Sequence, residues 1–395
     1  MRNSTVRAVN RLTKRWAAAQ PPAGGTDTAF TAAGVWPLLA LLADGSGGPA
    51  RAELAEALGI LADAAAGAAR ELLAALADVR GLQTATGLWA KAGLPLEEDW
   101  SAKLPAGARG TLTGEEDTDR KALDAWASDR TGGLIERMPV ALREDTRLVL
   151  ASALALRLTW AEPFREMAGP APEGPWAGRI LRWLIRTTAS LDGVRVARGP
   201  AGPVTAVEVT GTGDVDVHLL LGEPEALPAG VLDTGIAAVT GAVPSVSGSA
   251  LPEGNPGPGL AVSTVEAHSP RPLLLLTTVP FSLLAEHDLL DHAPLFGLET
   301  ASDADFGHFP GISSEPLAIG SARQSAMARF HAAGFEAAAV TAIAPRAAGA
   351  APRERCRARR AEVHFHRPFG FVAVHRTSRL VLAAGWVNEP GTVSE

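Results

Sequence analysis

The chain holds a single cysteine, Cys356, in 395 residues. No intrachain disulfide can form, so stability must come from the core. There is no run of about 18 uninterrupted apolar residues, the length that would read as a membrane-spanning helix. Basic excess is absent too: 36 Lys and Arg against 43 Asp and Glu leave a net charge of −7. That balance argues against a general nucleic-acid or anionic-membrane partner. No Pro/Gly/Ser linker separates two independently patterned halves, and no internal repeat is visible, so one domain over 1–395 is expected. Enzyme motifs are also lacking. The sequence has no phosphate-cradling glycine loop followed by Lys, no Gly-x-Ser-x-Gly elbow and no His-Glu-x-x-His. Gly45-Ser-Gly-Gly48 lacks the cation and the preceding strand of a phosphate site and reads as a turn. His364, His366 and His375 have no carboxylate or cysteine partner in the pattern, so neither metal nor cofactor is expected.

What is present is helix-rich to about residue 80. The basic start lacks the apolar core of a secretory signal. Its Val6, Val9, Leu12 and Trp16 share one helical face, which suits a first helix packed on the domain; a membrane-surface anchor is the sharper alternative. A cytoplasmic monomer is expected. An apolar run over 31–42 ends at the Gly45–Gly48 turn, and 52–76 gives one or two amphipathic helices. Residues 82–91 read as a strand and 122–137 as a helix broken at Gly132-Gly133. The run 148–160 is too continuous for a half-exposed element and reads as a central strand buried on both faces. Short strand patterns dominate 184–282, with a hairpin joining 204–209 to Val215–Leu221. Residues 243–258, rich in Gly, Ser and Pro, read as a disordered loop. Strands return at 363–374 and 380–387. Helices first and strands later indicate an α+β protein.

One segment reads two ways. In Gly334-Phe335-Glu336-Ala337-Ala338-Ala339-Val340-Thr341, Glu336 and the alanines suit a helix, whereas Val340 and Thr341 suit a strand. Alternation places Phe335, Ala337, Ala339 and Thr341 on one face and Glu336, Ala338 and Val340 on the other. Small side chains on both faces let such a segment slide between two existing strands. It is a candidate conformational switch. The stretch beyond it holds Pro345, Gly349 and Pro352 and then five arginines, at 353, 355, 357, 359 and 360, around Cys356. It reads as exposed and extended, as a protease requires of a substrate. The arginines would lower the Cys356 thiol pKa, against the plainer reading of an incidental exposed cysteine.

The hinge-like octapeptide resembles the reactive-loop hinge of the serpin family, usually Gly-Thr-Glu-Ala-Ala-Ala-Ala-Thr. Four further segments resemble serpin motifs in the family's order. They are Thr84–Pro95, Leu148–Phe164 with Trp160, Val363–Phe371 with Pro368-Phe369, and Gly385-Trp386-Val387-Asn388-Glu389-Pro390. The resemblance implies an α+β single domain with helices on a large, mostly antiparallel main sheet, two smaller sheets and an exposed reactive loop, here 332–362. It also implies a suicide-substrate inhibitor of serine proteases rather than an enzyme. A non-inhibitory substrate or binding protein of the same fold is the alternative.

Loop length then sets the bait. The family's scissile carbonyl usually lies fourteen residues after the hinge glycine, which gives the bond Ala348–Gly349 and an elastase- or subtilisin-like protease. Counting back from Pro368 lands on Arg357 and a trypsin-like protease. The hinge count is preferred because insertion depends on the upstream length. Several residues depart from the family pattern. Phe335 replaces a small Thr or Ser, Pro345 falls at the far end of the inserting strand, and Ala332-Ala333 replace an acidic pair. Thr31 and Gly34 stand in the family's Ser-Pro-x-Ser, Ser152 replaces Asn, and Gln324 replaces His. These last four are expected to form a rebuilt polar cluster under the opening sheet.

Overall fold

The computed structural model describes residues 2–20, 27–105, 107–140, 142–143, 146–335 and 356–391. The first helix, Asn3–Ala18, buries Val6, Val9, Leu12 and Trp16 in the main core. Its apolar face is therefore taken up by protein. Helix Ala32–Gly45 is buried at almost every position, because its sequence is apolar all round. The run over 52–76 forms two helices, Gly48–Leu58 and Ala62–Ala77, separated at Gly59, whose φ of +70° suits glycine. No helix among the described residues is long and apolar enough to cross a membrane.

Three main sheets carry the strands. The largest has seven strands, antiparallel throughout, in the order Thr28–Phe30, Val381–Val387, Phe369–His375, Val215–Leu221, Gly202–Thr210, Val194–Gly199, Ser245–Ser247. A six-stranded sheet runs Gly254–Gly257, Leu260–Ala267, Cys356–His364, Leu273–Thr278, Ile180–Thr188, Arg165–Pro170. A five-stranded sheet runs Phe281–Asp288, Ser321–Phe330, Leu148–Leu156, Leu82–Lys91, Arg109–Leu112. In this last sheet Leu148–Leu156 is buried at all nine positions. One face packs on helix Ala32–Gly45 through Leu148, Leu150 and Leu154, in the main core. The other meets Leu123 and Ala127 of helix Glu116–Thr131 through Val149, Ala151 and Ala153, in a second core cluster. The continuous apolar run is thus a strand buried between two helical layers.

Several expectations are corrected. Residues 243–258 contain two short strands, Ser245–Ser247 paired with Val194–Gly199 and Gly254–Gly257 paired with Leu260–Ala267, and Ser249 Oγ between them donates to Asp192 at 2.7 Å. The helix expected from 122 begins at Glu116; its acidic first turn favours the positive end of the helix. The exposed loop expected over 332–362 ends earlier, since Cys356–His364 is an interior strand of the six-stranded sheet. Its arginines misled the reading. Small or β-branched residues lie among them, and Ala358, Ala361 and Val363 are buried.

The buried His218 makes stability pH-dependent. Burial pushes its pKa down to about 4, with nearby Asp216 opposing the shift. The unfolded chain therefore takes up this proton near pH 6.5 and the folded chain only near pH 4. The contribution is complete above about 6.5 and is lost as pH falls towards 4. His218→Gln should reduce the drop in urea midpoint between pH 7 and pH 5. An identical drop in both proteins would contradict this assignment.

Candidate functional site

The site is a seam. Strands Ser321–Phe330 and Leu148–Leu156 pair directly and in parallel, from Ser321↔Val149 to Met327↔Ala155. Every cross-seam pair contains a small residue. Arg323 faces Ala151, Gln324 faces Ser152, Ser325 faces Ala153 and Ala326 faces Leu154. Parallel pairing is slightly weaker per residue than antiparallel pairing, and small residues add little cross-strand packing. Leu148–Leu156 pairs antiparallel with Leu82–Lys91 over nine residue pairs on its other edge. The seam is therefore the edge of this strand with the weaker pairing.

All four expected cluster residues meet beneath the seam. Thr31 caps helix Ala32–Gly45, its hydroxyl accepting from Gly34 N at 3.2 Å. The Gln324 amide grips the same residue twice: Oε1 accepts from Thr31 N at 2.9 Å and Nε2 donates to Thr31 O at 2.8 Å. Ser152 lies opposite Gln324, and its buried Oγ has no hydrogen-bond partner among the described residues. A Cβ at position 34 would stand 2.6 Å from that oxygen, so the close approach requires glycine. Ser152 and Gln324 are fully buried. An unmet buried hydroxyl costs about 1–3 kcal/mol, which weakens the closed seam further.

The same row extends to two residues not anticipated. Thr86 pairs with Ser152, and its Oγ1 is also buried without a partner among the described residues. His287 pairs with Gln324 and its Nε2 lies 2.8 Å from Ala29 O. Burial lowers the His287 pKa, opposed by the Ala29 hydrogen bond, so the neutral ring donates through Nε2. The sequence carried a signal for it. Phe281, Leu283 and Ala285 alternate on the buried face, and His287 continues that alternation.

At one end of the seam the chain turns into the hinge. Trp160 is buried, packs against Phe330 with ring centroids 4.9 Å apart and tilted by 42°, and donates through Nε1 to His331 O at 2.8 Å. Trp160 N donates to Ala333 O at 3.0 Å and Phe164 N to Ala332 O at 2.8 Å. Gly334–Phe335 then pairs antiparallel with Leu158–Thr159. A Cβ at Gly334 would sit 2.0 Å from Leu158 O, so only glycine fits. Glu336, Ala337, Ala338, Ala339, Val340 and Thr341 of the hinge, with Ala348 and Gly349, lie outside the described residues.

The alternative bait at Arg357 is corrected. Arg357 sits within Cys356–His364, opposite Glu266 in an antiparallel pair. A protease binds its substrate as a free extended strand, and this ladder would have to open first. Cys356 likewise is half-buried, its Sγ donating to Ala267 O at 3.2 Å. His366 lies 3.4 Å from Glu173. Among the described residues no group of three or more metal-ligating side chains gathers.

A sequence profile of the serpin (serine protease inhibitor) family matches residues 8–170 and 276–390. No curated protein matches the sequence. Among solved structures, native tengpin, a thermophilic serpin, superposes with a TM-score of 0.76 at 13% identity, covering 98% of this chain and 93% of that one. Protease nexin-1 with heparin gives 0.71 at 15% identity, with 98% of each chain covered. Serpin48 of the insect Tenebrio molitor gives 0.70 at 19% identity, again with 98% of each covered. At these identities the structures establish a common fold. With the profile matching well over half its length, the chain belongs to the serpin family.

Proposed function

We propose that this chain inhibits serine proteases as a suicide substrate, taking its own hinge into the seam after the loop is cut. The observation that carries the reading is the closed seam, Ser321–Phe330 directly against Leu148–Leu156, ending beside Gly334. The hinge leaves Phe330 and reverses direction, so a strand entering the seam would run antiparallel to both neighbours. One parallel interface would become two antiparallel ones. At about 1 kcal/mol net for each ladder bond, a strand of ten residues gains on the order of 10 kcal/mol, as much as a whole domain's stability.

The chemistry belongs to the protease. Its serine Oγ adds to the Ala348 carbonyl, the bond to Gly349 breaks, and the departing nitrogen takes a proton from the protease's base. The ester remains on Ala348. Insertion then carries the attached protease along the sheet and distorts its oxyanion hole before water can hydrolyse the ester. The chain is thus a substrate that traps, with no catalytic group of its own in this scheme. The polar cluster holds the seam shut until then, with Gln324 locking one strand to the helix cap at Thr31. A bait of Ala348 suits elastase- or subtilisin-like enzymes.

Three outcomes are expected. The loop-cleaved protein should melt at a much higher temperature than the intact one, measured calorimetrically. Equal melting temperatures would remove the insertion step and leave the non-inhibitory substrate reading. Ala339→Arg puts an unpaired charge on the inserting face. It should abolish the boil-resistant covalent complex on a denaturing gel while the loop is still cut; unchanged complex would mean that this face does not enter the core. Finally, mass spectrometry should place an elastase-like or subtilisin-like cut within two residues of Ala348, with stable complex. Trypsin should cut at Arg353 or Arg355 and be turned over, because five or more extra residues leave about 16 Å of slack. A stable ester through an arginine would refute the hinge count.

A further inference from the structure

We propose that the cavity at the C-terminal end of helix Pro228–Val239 is a binding site for a small phosphate monoester. The cavity holds about 260 Å³ and lies between that helix and strands Val194–Gly199, Gly202–Thr210 and Val215–Leu221 of the seven-stranded sheet. Neither the first helix nor strands Phe369–His375 and Val381–Val387 contribute to its wall. All its lining residues but Arg379 fall within 171–275, the part of the chain that the family profile does not match. The site is separate from the seam and does not depend on the inhibitory reading.

One wall carries a histidine that the fold leaves without a partner. His218 is 7% exposed, and its Nε2 is buried with no hydrogen-bond partner among the described residues. Buried polar groups are normally paired, so an orphan beside a cavity points to something bound there. Glu208 stands opposite on the next strand but does not take up the ring. It accepts from Thr210 Oγ1 at 3.4 Å and acts on Arg186 and Arg376. Burial holds the ring neutral, its pKa pushed down to about 4. A neutral imidazole can still donate one N–H to a bound oxygen.

Two guanidiniums complete the site. Arg195 and Arg379 line the cavity and lie close enough to act on His218. Neither side chain makes a hydrogen bond or a close ion pair among the described residues. Arg195 acts on Asp192 only at longer range, and that carboxylate already accepts from Ser247 Oγ and Ser249 Oγ. Arg379 is the one non-glycine residue with positive φ among the described residues, at +60°. A long side chain is disfavoured in that conformation, yet the turn places an arginine there, against the cavity. The negative end of the helix also meets the cavity. Its carbonyls at Ile236, Ala237 and Ala238 are satisfied by the N–H groups of Thr240, Ala242 and Gly241.

The acids of the site are thus engaged and its bases are free. Two unpaired guanidiniums match a dianion, and a phosphate monoester carries close to two negative charges at neutral pH, with a second pKa of about 6. Its three terminal oxygens can accept from Arg195, Arg379 and the His218 ring together. The volume lies just below the roughly 300–1,000 Å³ of sites for drug-sized ligands. It exceeds a bare phosphate and admits only a short organic part.

The test uses the full chain at about pH 7.5, where the monoester is dianionic, and at constant ionic strength so that screening is fixed. Glycerol 3-phosphate should bind saturably in calorimetry. It should also shift the His218 ring signal in the NMR spectrum, which His218→Gln identifies by its loss. Inorganic phosphate and succinate should bind severalfold more weakly. Arg195→Gln with Arg379→Asn, both at exposed positions, should weaken glycerol 3-phosphate about tenfold or more. Should the double variant not fold, Arg195→Gln alone replaces it, with a severalfold loss expected. Absence of saturable binding, an unmoved His218 signal, or undiminished affinity in the arginine variant would overturn the site. Succinate or inorganic phosphate binding as tightly as glycerol 3-phosphate would overturn the monoester as its ligand.

Discussion

The structure depends on one interface, the parallel seam between Ser321–Phe330 and Leu148–Leu156. Its neighbours are built more strongly. Leu148–Leu156 pairs antiparallel with Leu82–Lys91, and Ser321–Phe330 pairs antiparallel with Phe281–Asp288. Between these two antiparallel pairs every cross-strand pair includes an alanine or serine, and Ser152 and, one strand away, Thr86 have buried hydroxyls without a partner among the described residues. Beside the ladder across the seam, the Gln324 amide ties one of its two strands to the helix cap at the backbone of Thr31. Specific hydrogen bonds at Gln324 thus add to the apolar burial of the two strands. Contacts of that kind can be released together.

The hinge end is built in the opposite way. Trp160, Phe164, Phe330 and Phe281 form an aromatic group, with Phe281 stacked on Phe330 at 5.3 Å. Backbone bonds from Trp160 and Phe164 fix Ala333 and Ala332. The point where the chain leaves the sheet is therefore rigid while the seam beside it is weak. The downstream end, at Cys356, is rigid as well, paired into the six-stranded sheet.

Much of this was legible in the sequence. The polar cluster of Thr31, Gly34, Ser152 and Gln324 was located residue by residue from the family resemblance, and the residues do meet. The central strand followed from nine apolar or small residues without alternation. The Arg-rich segment was misread because charge dominated the local pattern. Its strand partners, Leu260–Ala267 and Leu273–Thr278, lie about ninety residues upstream, and local periodicity carries no record of them. For the same reason residues 243–258 looked disordered: their order comes from pairing with Val194–Gly199 and Leu260–Ala267 and from the Asp192 carboxylate. His287 was missed because its partner, Ala29 O, is a backbone atom of a distant strand.

The most direct test of the account is hydrogen exchange at the seam. Amides of Leu148–Leu156 and Ser321–Phe330 would be followed by mass spectrometry before and after a cut near Ala348. The account predicts that exchange in both strands slows strongly once the loop is cut, because each gains an antiparallel neighbour. Unchanged exchange in both strands would mean that the seam never opens, and the central claim would be wrong.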